Sequence, residues 1–448
     1  MFKINDEIIG IVEKLTNQGE GIIRFGEDKF VVFVKNVLPN EKVKVKIVSK
    51  NKHFAKGEVV EILEQSSHRV KPFCALYNAC GSCDMQIADY DYLLEQKTAI
   101  LKEIFENLCP VKDTIMSPVT KEYRHKIQFP VSQTKNSKRI LMGYYKNNSH
   151  DLTNIKFCPI QPAIINDIAE FIRKNWDKTC YNENKNEGLL KNVLFRINTA
   201  LDSILLTLIV NLKKKDCSKN DYKDFFNKIM LAFPQIKGCF LNFNTDKTNT
   251  ILGKHTIKIL GDDYLIETLE DKKYAIGPVS FFQINTKSAI NLFNIVKENV
   301  KPNSTLLDAY GGVGAIGIFC SDKAKKITLV EENANAIEMA KKNFELNKIE
   351  NYKILSGDAK KHFIDFKDEK KTFDYIILDP PRSGCDKEGL EVLADLAKNI
   401  IYVSCNPQTL KRDVKCLAEF GFKPKFVQGV DLFPYTHHIE SVCILEKL

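Results

Sequence analysis

The sequence has no apolar stretch long enough to cross a bilayer, and residues 1–6 lack the apolar core of a signal peptide. It also has no internal repeat and no extended low-complexity segment. We therefore expect a cytoplasmic protein with no membrane partner. In a cytosol the thirteen cysteines stay reduced, so they are available as metal ligands, as a nucleophile or as core residues.

The excess of positive charge is modest for the length. Lysine and arginine together number 66 against 57 acidic residues, a net charge of +9 over 448 residues. This balance is compatible with a polyanionic partner but does not require one. The length predicts two or three domains, which we place at residues 1–64, 65–276 and 277–448.

Residues 1–64 have the pattern of a small β-barrel. Short alternating runs at 8–12, 21–25, 30–34, 43–48 and 57–62 are separated by turn residues. Lysines alternate with valines at Lys42, Lys44 and Lys46, so one face of that strand is basic. Two interpretations are open: a face that holds nucleic-acid phosphates, or an edge strand that lysines protect against aggregation.

Residues 65–276 mix helical and strand patterns and predict an α+β domain. Cys74, Cys80 and Cys83 form a cluster near its start. Helical patterns follow at 91–108 and 163–176, and strand patterns at 204–212 and 238–242.

From about residue 277 strands alternate with helices, which is typical of a doubly wound parallel sheet. The expected strands lie at 305–307, 326–330, 352–355, 375–378 and 400–403. Helical patterns at 334–347 and 390–397 lie between them. In such sheets ligands bind at the carboxyl ends of the strands, so we looked for functional residues there.

The first three of these strands end in groups suited to a nucleotide-like ligand. The glycine-rich segment 308–314 closes the first, and glycines let the backbone turn sharply near a ligand. Glu331 ends the second about twenty residues on, where an acid binds ribose hydroxyls in nucleotide folds, and Asp358 follows the third. A dinucleotide is the alternative ligand. The acidic end of the first strand and the absence of the three-glycine spacing favour S-adenosylmethionine.

The fourth strand ends in Asp379, which is followed by two prolines and Arg382. The prolines fix the backbone and remove two N–H donors. An acid and nearby carbonyl groups are then free to face a planar ligand or a target base. The alternative is a rigid loop with an ion-paired aspartate.

The fifth strand ends at Cys405, which presents a thiol at the same rim. Methylation of uracil C5 needs such a thiol, because C5 attacks a methyl group only after a thiolate has added to C6. A base must then remove the C5 proton, and Glu440 is the candidate. The alternatives are a cysteine that is merely buried and a glutamate that is merely solvated.

Segments 281–283, 308–314, 379–382, 404–407 and 437–440 occur in the order found in a known family. Over nearly its whole length the chain resembles the S-adenosylmethionine-dependent RNA uracil-5-methyltransferases, in the iron–sulfur branch that acts on 23S ribosomal RNA. The resemblance implies an α/β protein with a C-terminal Rossmann-like methyltransferase domain, an N-terminal OB-like barrel of the TRAM type, and a central domain with a [4Fe–4S] cluster. It implies Cys405 as nucleophile and Glu440 as proton acceptor. The implied donor-pocket residues are Gln283, Tyr310, Glu331, Asp379 and Asp358.

The resemblance also implies that Cys74, Cys80, Cys83 and Cys158 bind the cluster. Spacing alone leaves structural zinc open, since four cysteines bind that metal as well. A radical enzyme is disfavoured, because its cysteines are spaced by three and then two residues, whereas five and two are found here. We interpret the cluster as structural or as a scaffold on the RNA side, with redox sensing as the alternative.

The expected substrate is a loop or single-stranded region of 23S ribosomal RNA with the target uridine flipped out. Arg124, Lys126 and Phe281 are the candidate RNA contacts, and their alternatives are a solvated basic turn and a core aromatic. A monomer is expected. The competing functions are a transfer RNA uracil-5-methyltransferase, an RNA-binding ribosome-assembly factor and an iron–sulfur redox sensor. A cytosine-5 methyltransferase is less consistent with the segment 379–382.

Overall fold

A computed structural model describes residues 3–134, 136–146 and 149–448. Its strands form sheets of six, seven and eight strands and a two-stranded hairpin. In this described part of the chain no helix is long and apolar enough to cross a membrane.

The first sheet is curled into a barrel-like shape, with strand order β1-β5-β6-β4-β3-β2. Its strands are β1 (Glu7–Ile11), β2 (Lys14–Leu15), β3 (Gly21–Phe25), β4 (Phe30–Val34), β5 (Lys42–Lys50) and β6 (Phe54–Glu64). A Cβ on Gly10 of β1 would lie 2.4 Å from the Ile23 side chain of β3, so these two strands approach each other closely. The strand patterns expected in residues 1–64 are confirmed.

The lysine-rich strand β5 differs from both interpretations drawn from its sequence. It pairs with β1 on one side and β6 on the other, so it is an interior strand, and edge protection is wrong. The amino groups of Lys42 and Lys44 lie 3.0 and 2.6 Å from carboxylate oxygens of Glu64 and Glu7. Acidic groups of the neighbouring strands therefore balance this face, which weakens its case as a phosphate-binding surface.

The second sheet has the order β10-β9-β8-β11-β12-β13-β14. The elements from residue 90 to 276 are α1 (Tyr90–Ile104), β7 (Val111–Ile115), β8 (Lys126–Gln133), β9 (Ile140–Tyr145), β10 (Leu152–Asn154), α2 (Ala163–Asn175), β11 (Leu190–Ile197), β12 (Ile204–Val210), α3 (Asn220–Ala232), β13 (Ile236–Phe243), β14 (His255–Gly261), β15 (Leu265–Leu269) and β16 (Lys272–Ile276). Every residue of β11 and β12 is buried. This burial arises because the two faces of the sheet contribute to two different hydrophobic cores.

The third sheet has the order β19-β18-β17-β20-β21-β23-β22-β7. Its remaining elements are α4 (Thr286–Glu298), β17 (Ser304–Ala309), α5 (Ala315–Phe319), β18 (Ala324–Glu331), α6 (Ala334–Leu346), β19 (Tyr352–Ser356), α7 (Ala359–Asp368), β20 (Phe373–Leu378), α8 (Lys387–Leu396), β21 (Ala397–Ser404), α9 (Pro407–Glu419), β22 (Phe422–Val430) and β23 (Glu440–Lys447). Strands β17 to β21 are parallel, as predicted, whereas β23 is antiparallel to both β21 and β22.

Helix α1 and strand β7 lie on this third sheet, although the sequence suggested the central domain for residues 65–276. Strand β7 pairs in parallel with β22 and forms an edge of the sheet. Lys97 of α1 and Asp431 form an ion pair of 2.8 Å, with side chains 1% and 0% exposed. Helical periodicity indicates which face of α1 is apolar but not which sheet that face covers, so the sequence did not reveal this placement.

Candidate active site

The carboxyl ends of the parallel strands open into one cleft of about 690 Å³. This size falls within the range of small-molecule and cofactor sites. The predicted residues that line the cleft are Phe281, Gln283, Tyr310, Glu331, Asp358, Asp379, Cys405 and Glu440. The structure therefore brings the proposed donor pocket, nucleophile and base to one rim, where the topology of an open α/β sheet puts ligands.

The glycine-rich turn after β17 is fixed by Asp308, a residue inside that strand. Its side chain is 1% exposed, and its Oδ2 accepts a hydrogen bond of 2.9 Å from the backbone N–H of Gly317. Burial raises the pKa of Asp308 to about 7. A Cβ at Gly317 would lie 2.7 Å from Asp308 Oδ2, so the close contact requires glycine. The turn thus has a defined shape before any ligand binds.

Glu331 ends β18 and supports the same turn. Its Oε2 accepts from the backbone N–H of Gly312 at 2.9 Å, and its Oε1 accepts from that of Asn333 at 2.8 Å. An ionised carboxylate offers about four lone-pair sites, so capacity remains to accept from the hydroxyls of a ribose.

The other predicted donor residues are arranged around the cleft. Tyr310 is half-buried with a left-handed φ of 63°, and burial followed by the charge of Cys385 raises its pKa. Asp358 caps α7, its Oδ1 accepting from Lys361 N–H at 3.0 Å, which leaves only part of that carboxylate for a ligand. Burial raises the pKa of Asp379 to about 7.

Cys405 lies between the end of β21 and the start of α9. The side chain of the next residue, Asn406, caps this helix by accepting from the Gln408 N–H at 3.1 Å. A helix N-terminus favours negative charge, so its position supports a thiolate. Burial and then the charge of Glu440 raise the pKa of Cys405, while the guanidinium of Arg382 opposes them. The thiol is half-buried and lines the open cleft.

Glu440 begins the neighbouring strand β23 and is 5% exposed. In the antiparallel pairing of β21 with β23, Ser404 is opposite Ser441. Cys405 directly follows Ser404, and Glu440 directly precedes Ser441, so both adjoin this facing pair. Burial, followed by the charge of Asp379, raises the pKa of Glu440 to about 8. A carboxyl group with a pKa near neutrality suits a proton acceptor.

Arg382 is the residue that we did not assign as a site residue from the sequence. Its charge lowers the pKa of both Cys405 and Glu440. Its backbone carbonyl accepts from the Thr409 hydroxyl at 3.3 Å, which joins this loop to α9. The sequence did contain a signal for this residue, since Arg382 ends the segment after the fourth strand. The proximity of Arg382 to the Cys405 thiol, however, depends on how neighbouring strands align.

Of the three predicted RNA contacts, Phe281 lines the described part of the cleft, whereas Arg124 and Lys126 lie next to each other outside that lining. Phe281 is 65% exposed at the cleft. Arg124 is half-buried, with its guanidinium carbon 5.0 Å from the ring centroid of Tyr144. Burial, followed by the charges of Arg196 and Arg124, lowers the pKa of Lys126 to about 7.

Cys74, Cys80, Cys83 and Cys158 line a second, separate cavity. Burial and then the charge of Cys158 raise the pKa of Cys83 to about 12, and burial raises that of Cys158 to about 11. Within the described ranges, no three cysteine, histidine or acidic side chains converge closely enough to hold a single metal ion.

The cysteine-bearing segment also supports the loop that leads to Glu440. The backbone N–H of His437 donates to Asp84 Oδ1 at 3.0 Å, and the backbone N–H of Met85 donates to the Tyr435 carbonyl at 3.0 Å. The Tyr123 hydroxyl donates to the Pro434 carbonyl at 3.2 Å. The position of Glu440, the candidate base, therefore depends on Asp84 and Met85, which directly follow Cys83, and on Tyr123.

Comparisons with known proteins agree with this geometry. A family model described as tRNA (Uracil-5-)-methyltransferase matches residues 89–448, and a TRAM-domain model matches residues 11–60. An uncharacterized RNA methyltransferase of Oceanobacillus iheyensis is 35% identical over 446 residues, which are 97% of this chain and 95% of the relative. One of Clostridium acetobutylicum is 33% identical over 460 residues, which are 100% and 98% of the two chains.

A solved structure extends the comparison to the fold. The tRNA (uracil-54, C5)-methyltransferase of Pyrococcus abyssi, in complex with S-adenosyl-L-homocysteine, matches with a TM-score of 0.77 at 25% identity. The match covers 98% of this chain and 100% of that one. The expected α/β methyltransferase fold and N-terminal TRAM domain are thereby confirmed. The chain belongs to the RNA (uracil-5-)-methyltransferases, a family of enzymes that use S-adenosylmethionine.

Proposed function

We propose that this enzyme methylates C5 of a specific uridine in 23S ribosomal RNA, with Cys405 as nucleophile and Glu440 as proton acceptor. The observation that carries the catalytic assignment is their shared position. Both line one cleft at the ends of adjacent strands. The charge of Glu440 raises the pKa of Cys405, and the charge of Arg382 lowers the pKa of both.

The chemistry balances with these two residues. The Cys405 thiolate forms a bond to C6 of uracil, and the resulting electron density at C5 attacks a methyl group. S-adenosylmethionine would supply that methyl group as an electrophilic sulfonium, with the bond between sulfur and the methyl group breaking and S-adenosylhomocysteine leaving. Glu440 then takes the proton from C5, the bond between sulfur and C6 breaks, and the thiolate is regenerated.

Charge around the thiol supports this order of events. Arg382 stabilises the thiolate of Cys405 and opposes the effects of Glu440 and Asp379. We propose that Glu331 binds the ribose hydroxyls and that Gln283, Tyr310, Asp379 and Asp358 complete the donor pocket. Their common cleft and the free acceptor capacity of Glu331 support these roles.

We further propose that Cys74, Cys80, Cys83 and Cys158 bind a [4Fe–4S] cluster in a central domain. Four thiols around one cavity fit this group, because bound iron would offset the burial that disfavours the charged forms of Cys83 and Cys158. In such a cluster each cysteine binds a different iron, so the sulfurs need not converge on one point. Iron and acid-labile sulfide analysis of anaerobically purified protein distinguishes this site from structural zinc.

Transfer RNA is the second candidate substrate, because the Pyrococcus abyssi relative is named for uridine 54 of transfer RNA. The four cysteines favour 23S ribosomal RNA in our proposal, whereas the barrel does not discriminate, because the match to the transfer RNA enzyme covers 98% of this chain. We propose Phe281, Arg124 and Lys126 as RNA contacts, with exposed Phe281 able to fill the gap left by a flipped base.

The test is methyl transfer from labelled S-adenosylmethionine to unmodified 23S ribosomal RNA and, separately, to transfer RNA. We expect label in 5-methyluridine of the 23S RNA, with its position mapped by mass spectrometry. Label only in transfer RNA would replace the substrate and keep the catalytic residues. Label in neither RNA, with donor binding intact, would favour an RNA-binding assembly factor.

A further inference from the structure

A third cavity, of about 530 Å³, borders the cysteine cavity and has lining residues close in sequence to those of the cleft. It shares Phe157 and Pro159 with the wall of the cysteine cavity. On its other side Lys287 follows Gln283 and Ile284, which line the cleft. The cavity therefore adjoins the place where the target uridine is methylated.

Its walls offer an aromatic surface open to solvent. Phe157 is 61% exposed, an unusual environment for a phenylalanine. Phe73, on the same cavity, has the Lys121 amino group 4.8 Å from its ring centroid. Aromatic rings that stand beside lysines form the stacking platforms by which proteins hold unpaired nucleotides.

The charge of the cavity is complementary to a phosphate backbone. Its described lining includes the exposed residues Lys121 and Lys287, against one carboxylate, Glu122. Among the described residues no carboxylate lies within 4.0 Å of either lysine amino group. Two lysines that lack an ion pair leave their charge available for phosphates.

A buried histidine lines the same cavity. His125 is 7% exposed, and its Nδ1 has no hydrogen-bond partner in the described part of the chain. Its backbone N–H donates to the Ile284 carbonyl at 2.8 Å, which attaches it to the wall of the catalytic cleft. Buried polar atoms are rarely left without a partner, so this ring edge is suited to bind a ligand.

We infer that this cavity binds a nucleotide of the RNA that flanks the flipped uridine, with its base against Phe157 and its phosphate at Lys121 and Lys287. The inference rests on RNA methylation in the adjoining cleft. Such a contact would select the nucleotide sequence or the RNA shape around the target uridine. Unpaired RNA combines a planar base with a negatively charged backbone, and the RNA substrate of this enzyme supplies it.

The first experiment compares Phe157→Ala with Leu231→Ala, a control for loss of an exposed apolar side chain on α3. We expect Phe157→Ala to weaken binding of an RNA fragment containing the target by about 5- to 150-fold. The fragment's KM should rise in parallel, while the Kd for S-adenosylmethionine stays unchanged. Because Phe157 adjoins Cys158, iron content and the melting temperature are measured for each variant.

The second experiment removes the charge of a lysine that does not line the cysteine cavity. Lys287→Gln should lower the slope of log Kd against log salt concentration by about 0.7, as expected for one lost phosphate contact on a single strand. Lys228→Gln on α3 is the matched control and should leave the slope unchanged.

A third experiment locates the contact directly. RNA carrying 5-iodouridine next to the target uridine should cross-link to Phe157 or Phe73 on irradiation. Unchanged affinity and salt slope in the variants, or cross-links that map elsewhere, would overturn the inference. Failure of the wild type to methylate any RNA is a different result, since it would remove the proposed function while the cross-linking and salt measurements still decide whether RNA occupies this cavity.

Discussion

Cysteines occur in two contrasting environments in this protein, the catalytic cleft and the cysteine cavity. In both, burial raises the pKa of the thiol. Each thiol also has a guanidinium nearby that lowers its pKa, Arg382 for Cys405 and Arg124 for Cys83. Cys405 differs in having the start of α9 after it and a large open cleft before it, whereas Cys83 shares its cavity with three other cysteines. The comparison teaches that neither burial nor a nearby guanidinium separates the proposed nucleophile from a proposed ligand, whereas the helix start and access from an open cleft do.

The largest difference should appear when each thiol is removed. We expect Cys405→Ala to lower methyl transfer by at least about 10⁴-fold, because the variant lacks the thiolate that we propose adds to uracil C6. Single-turnover transfer to 23S RNA measures the loss. Cys416→Ala on α9 is the control and should retain activity. Transfer that persists in Cys405→Ala would contradict the catalytic proposal.

Removing the base should sharpen the contrast within the cleft. In Glu440→Gln we expect multiple-turnover methylation to fall by about 10²- to 10⁴-fold, since the C5 proton has no acceptor. The RNA should then remain bonded to Cys405 and run as a slow band on denaturing gels. The double variant with Cys405→Ala should show no such band, and a band that persists there would assign the bond to another residue.

Substitution within the cysteine cavity should act on folding before chemistry. We expect Cys83→Ala to lose iron and sulfide and to lower the melting temperature by more than about 5 °C, because metal binding and folding are coupled. Cys180→Ala is the control, since Cys180 is a buried free cysteine that does not line the cavity. Iron content and melting temperature that match the wild type would contradict the proposed cluster.

The smallest expected effect is on pH dependence. The negative charge of Asp379 raises the pKa of Glu440 and of Cys405, so Asp379→Asn should lower both values. Both groups act in their deprotonated forms, so the rising acidic limb of the single-turnover rate should move to lower pH by up to about one unit. Glu331→Gln in the same cleft should reduce donor affinity without this shift. An unmoved limb in Asp379→Asn would contradict the electrostatic account.

Much of the catalytic rim was predictable because it depends on where strands end. The strand patterns before Asp308, Glu331, Asp379 and Cys405 are local, and carboxyl ends of parallel strands meet at one edge. The contacts across strands were not predictable in this way. Pairing of β23 beside β21 brings Glu440 close to Cys405, and that pairing depends on chain folding over long distances.

Other failures have the same origin. The alternation of Lys42, Lys44 and Lys46 gave one basic face, but the sequence did not show that Glu7 and Glu64 would lie beside it. The placement of α1 and β7 on the third sheet also depends on a strand more than 300 residues away in sequence. Local periodicity describes a face, whereas the partner of that face is decided by topology.

The ion pair between Lys97 and Asp431, 334 residues apart in sequence, has a consequence for biosynthesis. At about 5–20 residues per second, a ribosome needs roughly 17–67 s to make the chain between the two partners. During most of that time α1 and β7 exist without β22, the strand that pairs with β7. Because Glu440 begins β23, the proposed pair of Cys405 and Glu440 can assemble only after that strand has been made.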